Sequence, residues 1–350
     1  MTTPQIKPQS IKPFDYKGAV AAILKTLKRD RDRQIIAKRF GFGLAKSQTL
    51  EKIGRNFGIT RERVRQIEKA TLAKIASLDS PEINQANQLL ASYLEQQGGV
   101  SLAHDVADQM GASSPAEESY IAFLATLAPG IMVIPEDDEV RSALAIAPQY
   151  SRQAVKQLIG ELVRAITKVG RPVTLGAIQK DLDRPLPSHL VENLAKISKR
   201  LACLENQWGL ISWPEVNPKS IRDKTYLVLT KHGQPLHFTQ ISHHIKNSSF
   251  QRRDVTVQAV HNELIKDPRF VLIGRGIYAL AEWGYAAGTV ADIIIDVLKA
   301  SKAPLHKDEI IKRVLEKRQV KTTTIILNLQ EKDHFVRVAK ATYKLKDHKA

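Results

Sequence analysis

The 350-residue chain is 43% hydrophobic and 25% charged, the balance of a soluble protein long enough for more than one core. Its formal net charge of +17 points to a polyanionic partner, nucleic acid before a membrane surface. One cysteine, Cys203, excludes an intramolecular disulfide and a cysteine-based zinc site, and its apolar setting in LACLENQWGL marks it as a small core residue. The longest apolar stretch, 121–135, is interrupted by Pro129–Gly130 and is too short to span a bilayer. The amino-terminal residues hold no apolar run of signal-peptide length, so a cytoplasmic protein is expected.

Charge is unevenly spread. Residues 1–80 hold 18 basic and 7 acidic side chains, a net +11, whereas 81–150 hold 1 and 10, a net −9. The first block suits phosphate; the second repels it. Residues 1–13 read as a loose tail bearing Pro and Lys. A helix is expected over about 14–27, with Val20, Ile23, Leu24 and Leu27 at helical spacing, and another over about 30–39, with Ile35, Ile36 and Phe40 inward. Gly41 and Gly43 break it, and Ala45–Gln48 lead on. Residues 49–57 then form a short amphipathic helix with Leu50, Ile53 and Phe57 on one face, and Gly58 supplies a tight turn. Thr60 can cap the next helix, whose buried stripe is read as Val64, Ile67, Leu72 and Ile75. Arg61, Glu62, Arg65, Gln66 and Lys69 point outward from it. A solvated charged face is the bland reading; the turn, the cap and long donors at the start of a second helix favour major-groove reading.

The run TLEKIGRNFGITRERVRQIEKATLAKI (49–75) closely resembles region 4 of the sigma-70 family, which reads the −35 promoter element, and LKRDRDRQIIAKRFGFG (27–43) is similar to that family's preceding helix. The likeness covers about residues 19–77. It implies base contacts by Arg61, Glu62, Arg65 and Gln66, with Lys52, Arg55, Thr60, Arg63 and Lys69 as phosphate or support positions. No counterpart of the family's region that melts the −10 element and binds the polymerase clamp is found, so the likeness does not imply a self-sufficient sigma factor.

Beyond Pro81 the chain repeats. GGVSLAHDV (98–106), GRPVTLGAI (170–178), GQPLHFTQI (233–241) and KAPLHKDEI (302–310) place Val100, Val173, Leu236 and Leu305 at intervals of 73, 63 and 69 residues. Each follows an apolar helix and precedes two helical stretches and two short β-rich runs: 131–146, 201–213, 269–280 and 335–346. The order is that of a winged helix. The fold expected is therefore mainly α: an N-terminal helix-turn-helix module followed by four tandem winged-helix domains with small β-hairpin wings. The expected boundaries are 14–80, 81–149, 150–216, 217–284 and 285–350. PLHFTQISHHI with VHNELIKDPRFVLIGRGIYALAEWG, over 217–284, is similar to the HARE-type winged-helix family, found in the delta subunit of bacterial RNA polymerase and in chromatin and restriction proteins; 285–350 resembles a divergent member. By position, Thr256, His261 and Lys266 on the third helix and Arg275 at the wing tip are DNA-contact candidates. Arg275 reads equally as a solvated turn or as an insertion into the minor groove.

His237, His243, His244 and His261 form the densest histidine cluster, but adjacent His243 and His244 lie on different helix faces, so polar or capping roles are expected and no metal. The acidic run Glu136–Glu139 reads as a solvated turn or as a contact for a basic partner. No Walker loop, GxSxG or nucleotide-binding glycine fingerprint occurs, so no enzyme, cofactor or small-molecule substrate is expected. The partners expected are double-stranded DNA and the RNA polymerase core. Two further readings stay open: a polymerase-associated accessory subunit acting through protein contacts, and a DNA-handling subunit of a restriction system.

Overall fold

A computed structural model describes residues 14–44, 47–78, 80–250, 254–285, 288–301, 303–318, 320–330 and 334–346; the tail expected over 1–13 and the start of the Ala45–Gln48 connection lie outside them. The chain divides into two compact units, Met1–Ile211 and Ser212–Ala350. Both are mainly helical with small antiparallel sheets. Among the described residues no helix is long and apolar enough to cross a membrane.

The first unit opens with four helices, α1 (Tyr16–Lys25), α2 (Asp30–Phe40), α3 (Leu50–Phe57) and α4 (Arg61–Ala76). Asp15 caps α1 by accepting from the Gly18 N–H, and Gly41, at φ 83°, ends α2. Then follow α5 (Pro81–Gln96), β1 (Val100–Leu102), α6 (Ala103–Gln109), α7 (Pro115–Leu127), β2 (Ile131–Ile134) and β3 (Ala143–Ile146). The unit closes with α8 (Arg152–Val169), α9 (Leu175–Ile178), α10 (Ser188–Ile197), β4 (Leu201–Leu204) and β5 (Gln207–Leu210). The second unit runs α11 (Ile221–His232), β6 (Leu236–His237), α12 (Phe238–Lys246), α13 (Val257–Lys266), β7 (Phe270–Gly274) and β8 (Ile277–Leu280). It continues with α14 (Val290–Ser301), β9 (Leu305–His306), α15 (Lys307–Lys317), α16 (Thr322–Gln330), β10 (Phe335–Ala339) and β11 (Thr342–Leu345).

From α5 onward one pattern occurs four times: helix, short strand, two helices, hairpin. The short strand pairs each time with the second hairpin strand, through Val100 with Ala145, Leu236 with Tyr278 and Leu305 with Tyr343; in the second repeat Val173 makes a single bridge to Trp208. These are the four apolar positions whose spacing marked the repeat. A further shared bond closes each hairpin, from the residue after it to the one before: Ala147 N–H to the Gly130 carbonyl, Ile211 to Arg200, Ala281 to Arg269 and Lys346 to His334, all at 2.8–3.0 Å. Successive side chains of each hairpin strand point to opposite faces, and one of these faces turns toward its own helices.

The first two repeats are not freely strung modules. One core joins Val20 and Ile23 of α1, Leu27 just beyond it, Ile36 of α2 and Ile75 of α4 to Ile83 and Ala86 of α5 and Phe123, Leu124 and Leu127 of α7. Its centre is aromatic: Phe123, fully buried, meets Phe40 and Phe42 edge-on at 4.9 and 5.2 Å, and Phe42 stacks on Tyr120 at 5.0 Å. The opposite sides of α5 and α7, with Leu90, Leu94, Ile121 and Ala125, build the core of the first repeat with Val106 and Leu144. Helix α10 in turn packs on β1, where the Asn193 side chain donates to the Gln97 carbonyl at 3.0 Å.

Two expectations need correction. The stripe of α4 is Val64, Ile67, Thr71 and Ile75, because Thr71 stands four residues from both isoleucines on the same face; Leu72, one residue round, is half-buried against the α1–α7 core. Cys203 is exposed, because β4 leaves the core after Leu201. The acidic turn between β2 and β3 meets basic residues of its own chain. Asp137 pairs with Arg152 and Lys156, Glu139 with Lys156 and Glu136 with Lys199, at 2.6–2.8 Å. The backbone joins in, Lys199 N–H donating to the Glu139 carbonyl and Arg141 N–H to Ile197.

Lys156, then backbone N–H groups and Arg152, hold the Asp137 carboxyl far below the usual carboxylate range. A carboxylate whose folded value is depressed stabilises the fold above its unfolded value and loses that contribution as pH falls toward the folded one. Asp137→Asn should therefore lower stability at neutral pH and flatten the acid limb below about pH 4, read by denaturant titration across pH. Phe123→Ala should cost about 3–5 kcal/mol and melt α1–α4 together with α5–α7 in one transition by circular dichroism and calorimetry; two separated transitions would contradict a shared core.

Candidate nucleic-acid interface

Helices α3 and α4 are set by local chemistry. Thr49 caps α3, its hydroxyl accepting from the Lys52 N–H, and Thr60 caps α4 by accepting from Arg63, both at 3.2 Å. Between them Gly58, at φ 64°, ends α3, and the Ile59 N–H returns to the Gly54 carbonyl at 3.0 Å. The two helices grip a small core of Ile35, Ile53, Val64 and Ile67, flanked by Leu50, Phe57 and Ile59. The approach is close: a Cβ on Gly54 would lie 2.6 Å from the Ile59 carbonyl oxygen. Arg39 of α2 reaches the largely buried Glu68 of α4 at 3.1 Å and fixes the outer helix against the inner one.

This arrangement leaves one face of α4 open. Arg61, Glu62, Arg65, Gln66 and Lys69 are all exposed, as are Arg63, Lys52 and Arg55. Positions 61, 65 and 69 share a stripe, as do 62, 66 and 69, so the side chains cover the first two turns of one surface. Glu51, Arg55, Thr60, Arg61 and Arg63 line a shallow open depression at the turn. The side chains are partly pre-arranged. Arg65 presents its Nε–Nη2 edge to Glu62, Nη2 at 2.6 Å and Nε at 2.9 Å, and Arg63 donates to Gln66 at 3.1 Å. Arg55 pairs with Glu51 at 2.6 Å. The hydrogen bond from Arg65 holds the Glu62 carboxyl below its ordinary value, so it stays ionised. Such a face can do what base reading needs: arginine can span two acceptors of guanine, glutamine can pair with adenine and a carboxylate can accept from cytosine.

The repeats divide into two kinds by their second inner helix. In α7, Ile121, Phe123, Leu124, Ala125 and Leu127 are buried, and in α10 so are Leu190, Val191, Asn193, Leu194, Ala195 and Ile197. Both are enclosed by neighbouring elements of the first unit. By contrast α13 buries only Val260 and Leu264, and α16 only Ile325 and Leu329. Of the residues singled out in the third repeat, Thr256 caps α13 by accepting from the Ala259 N–H, and His261 is half-buried with its ring 4.6 Å from Phe238. Lys266 is exposed in the last turn, and Arg275 is exposed at the β7–β8 turn. These four belong to the second unit and α4 to the first.

His237 caps α12, its ring accepting from the Thr239 N–H. The His244 ring lies tilted against His232 with centroids 4.1 Å apart, its pKa lowered by burial and then by His232 and His243. Among the described residues no three His, Cys, Asp or Glu side chains converge to hold a metal.

Comparison with known proteins falls on the same segment. The family described as Sigma-70, region 4 matches residues 24–76. Over 59 residues the chain is 47% identical to the RNA polymerase sigma factor SigA of Listeria monocytogenes, and equally to that of Listeria innocua. The aligned stretch is 17% of this chain and 16% of the length of each relative. A sigma-70 region 4 domain thus occupies 24–76, reaching from the end of α1 to the end of α4.

The two glycines of the turn should separate in their effects. Gly58→Ala meets nothing within 4 Å and loses only the left-handed backbone preference, about 1–2 kcal/mol. Gly54→Ala must push α3 off the Ile59 carbonyl and should destabilise more than Gly58→Ala by denaturant titration. The reverse order would show that the turn is not closed by that contact.

Proposed function

We propose that this chain is a sequence-specific DNA-binding protein of the bacterial-type transcription apparatus, reading a −35-like promoter element with α4. One observation carries the reading: the exposed amino-terminal face of α4, with Arg61, Glu62, Arg65 and Gln66, lies inside the stretch that matches region 4 of sigma-70. These four residues read base edges. Lys52, Arg55, Arg63 and Lys69 hold phosphates, and Thr60 supports them through its cap. The Glu62–Arg65 pair keeps the guanidinium in a defined orientation before DNA arrives, which lowers the ordering cost of binding.

The four repeats are read as winged helices, the last two of HARE type, with hairpins as wings. Enclosure of α7 and α10 suits the first two to a rigid mount for the reading module. The last two add DNA-backbone or polymerase contacts, through Lys266 and Arg275 in the third repeat. No chemistry is required of the chain; it acts in the cytoplasm at the nucleoid, with duplex DNA and core polymerase as partners.

A second reading, an accessory subunit of polymerase working through protein contacts, is favoured by Ile265 on α13 and Leu327 on α16, which are 64% and 63% exposed. Co-purification with core polymerase in the absence of sequence-specific DNA binding would select it.

Under the first reading, Arg61→Ala or Arg65→Ala should weaken binding to the cognate duplex by about 1–3 kcal/mol and to random DNA much less. Titrations of labelled duplexes at fixed salt measure both. Equal losses on the two DNAs would reduce these arginines to phosphate contacts and remove the case for sequence reading.

A further inference from the structure

Ten residues before Val100, Val173, Leu236 and Leu305, on the helix that opens each repeat, stand Leu90, Val163, Tyr226 and Ile295. The aliphatic three pack into the cores of their repeats. Tyr226 of α11 is half-buried instead and forms one wall of a cleft of about 470 Å³, with Pro214 and Pro268 beside it and Glu215 and Glu282 on the rim. A cleft of this size holds a long side chain or a small ligand.

Arg269 also lines the cleft, but its guanidinium is already held. Its Nε and Nη2 donate to Asp267 at 3.1 and 2.7 Å, Asp223 lies 3.7 Å away, and the group sits over the Tyr226 ring at 5.3 Å. The two rim carboxylates have no such answer. The Tyr226 hydroxyl donates to Glu282 at 3.0 Å. Burial first, then Glu282 and Glu215, push the Tyr226 hydroxyl up, so both carboxylates lie near one neutral group. Glu215 and Glu282 are exposed, and neither makes an ion pair among the described residues. In the acidic β2–β3 turn, by contrast, Glu136, Asp137 and Glu139 each meet a lysine of the same chain.

We propose that this cleft is a docking pocket for a lysine side chain of a partner protein. The aliphatic stem lies along Pro214, Pro268 and the Tyr226 ring, and the ammonium sits between Glu215 and Glu282. Charge complementarity selects a cation. A compact head with three donors suits two separate carboxylates, whereas the planar guanidinium fork matches one. Arg269, fixed by Asp267 and Tyr226, holds the wall in place before the partner arrives, which lowers the ordering cost. The inference concerns the second unit and stands whether or not α4 reads DNA.

The test uses the full chain and the peptide Gly-Ala-Pro-Lys-Pro-Ala-Gly, amidated at its end and labelled at its amino group with an uncharged dye, followed by anisotropy at low salt. Saturable binding is expected, weakened about tenfold in Glu215→Gln and in Glu282→Gln and lost when norleucine replaces the lysine. Glutamine at 282 can still accept from Tyr226 and both positions are exposed, so the variants should melt like the parent, which circular dichroism verifies. Absence of saturable binding, equal binding of the norleucine peptide, or indifference to both variants overturns the proposal. So does displacement of the peptide by spermidine well below the concentration at which the peptide itself binds, since the site would then take a free polyamine. Self-association of the chain that Glu215→Gln abolishes would make a second copy the occupant and overturn it as well.

Discussion

The structure depends on one helix serving two cores. Phe123, Leu124 and Leu127 of α7 close the core that α1, α2 and the end of α4 begin, while Ile121 and Ala125 on its other side close the core of the first repeat. Edge-on contacts of Phe123 with Phe40 and Phe42 favour a fixed ring geometry over a greasy one. A small four-helix module such as 14–78 would bury a modest area alone. Sharing α5 and α7 enlarges its interior and fixes the direction in which α4 faces solvent.

Charge follows the same division. The net −9 of 81–150 would count against any DNA-binding protein if it were free to repel phosphate. Much of it instead lies in the β2–β3 turn and is answered by Arg152, Lys156 and Lys199. The exposed pairs contribute little each, but they share one short segment with backbone hydrogen bonds to 197–199 and so fix the second repeat to the first. On α4 the balance is the opposite. Glu62 engages Arg65, while Arg61 and Lys69 stay exposed without a carboxylate hydrogen bond among the described residues, and the face remains cationic.

The local features were legible in the sequence because their causes are local. A threonine three residues before the N–H it accepts, and a glycine where φ turns positive, set α3, its turn and α4. The repeat was legible because Val100, Val173, Leu236 and Leu305 must each meet the same hairpin strand. What stayed hidden came from contacts far apart in the chain. Nothing near residue 80 signals that Phe40 packs on Phe123, and nothing near residue 137 signals Lys156. Thr71 was passed over because its polar side chain hid a position that helical spacing makes inward. Cys203 was misread because an apolar neighbourhood in sequence does not show where a strand leaves its core. At the candidate interface the outward residues of α4 were legible, but their pairing, Arg65 with Glu62 and Arg63 with Gln66, belongs to side-chain geometry.

The central claim is that α4 reads DNA sequence, and selection of duplexes from a random pool by the full-length protein tests it most directly. The account predicts enrichment of one short motif that is no longer enriched when Arg61 and Arg65 are both alanine. A pool that stays random with the parent protein, at salt low enough for binding, would contradict it.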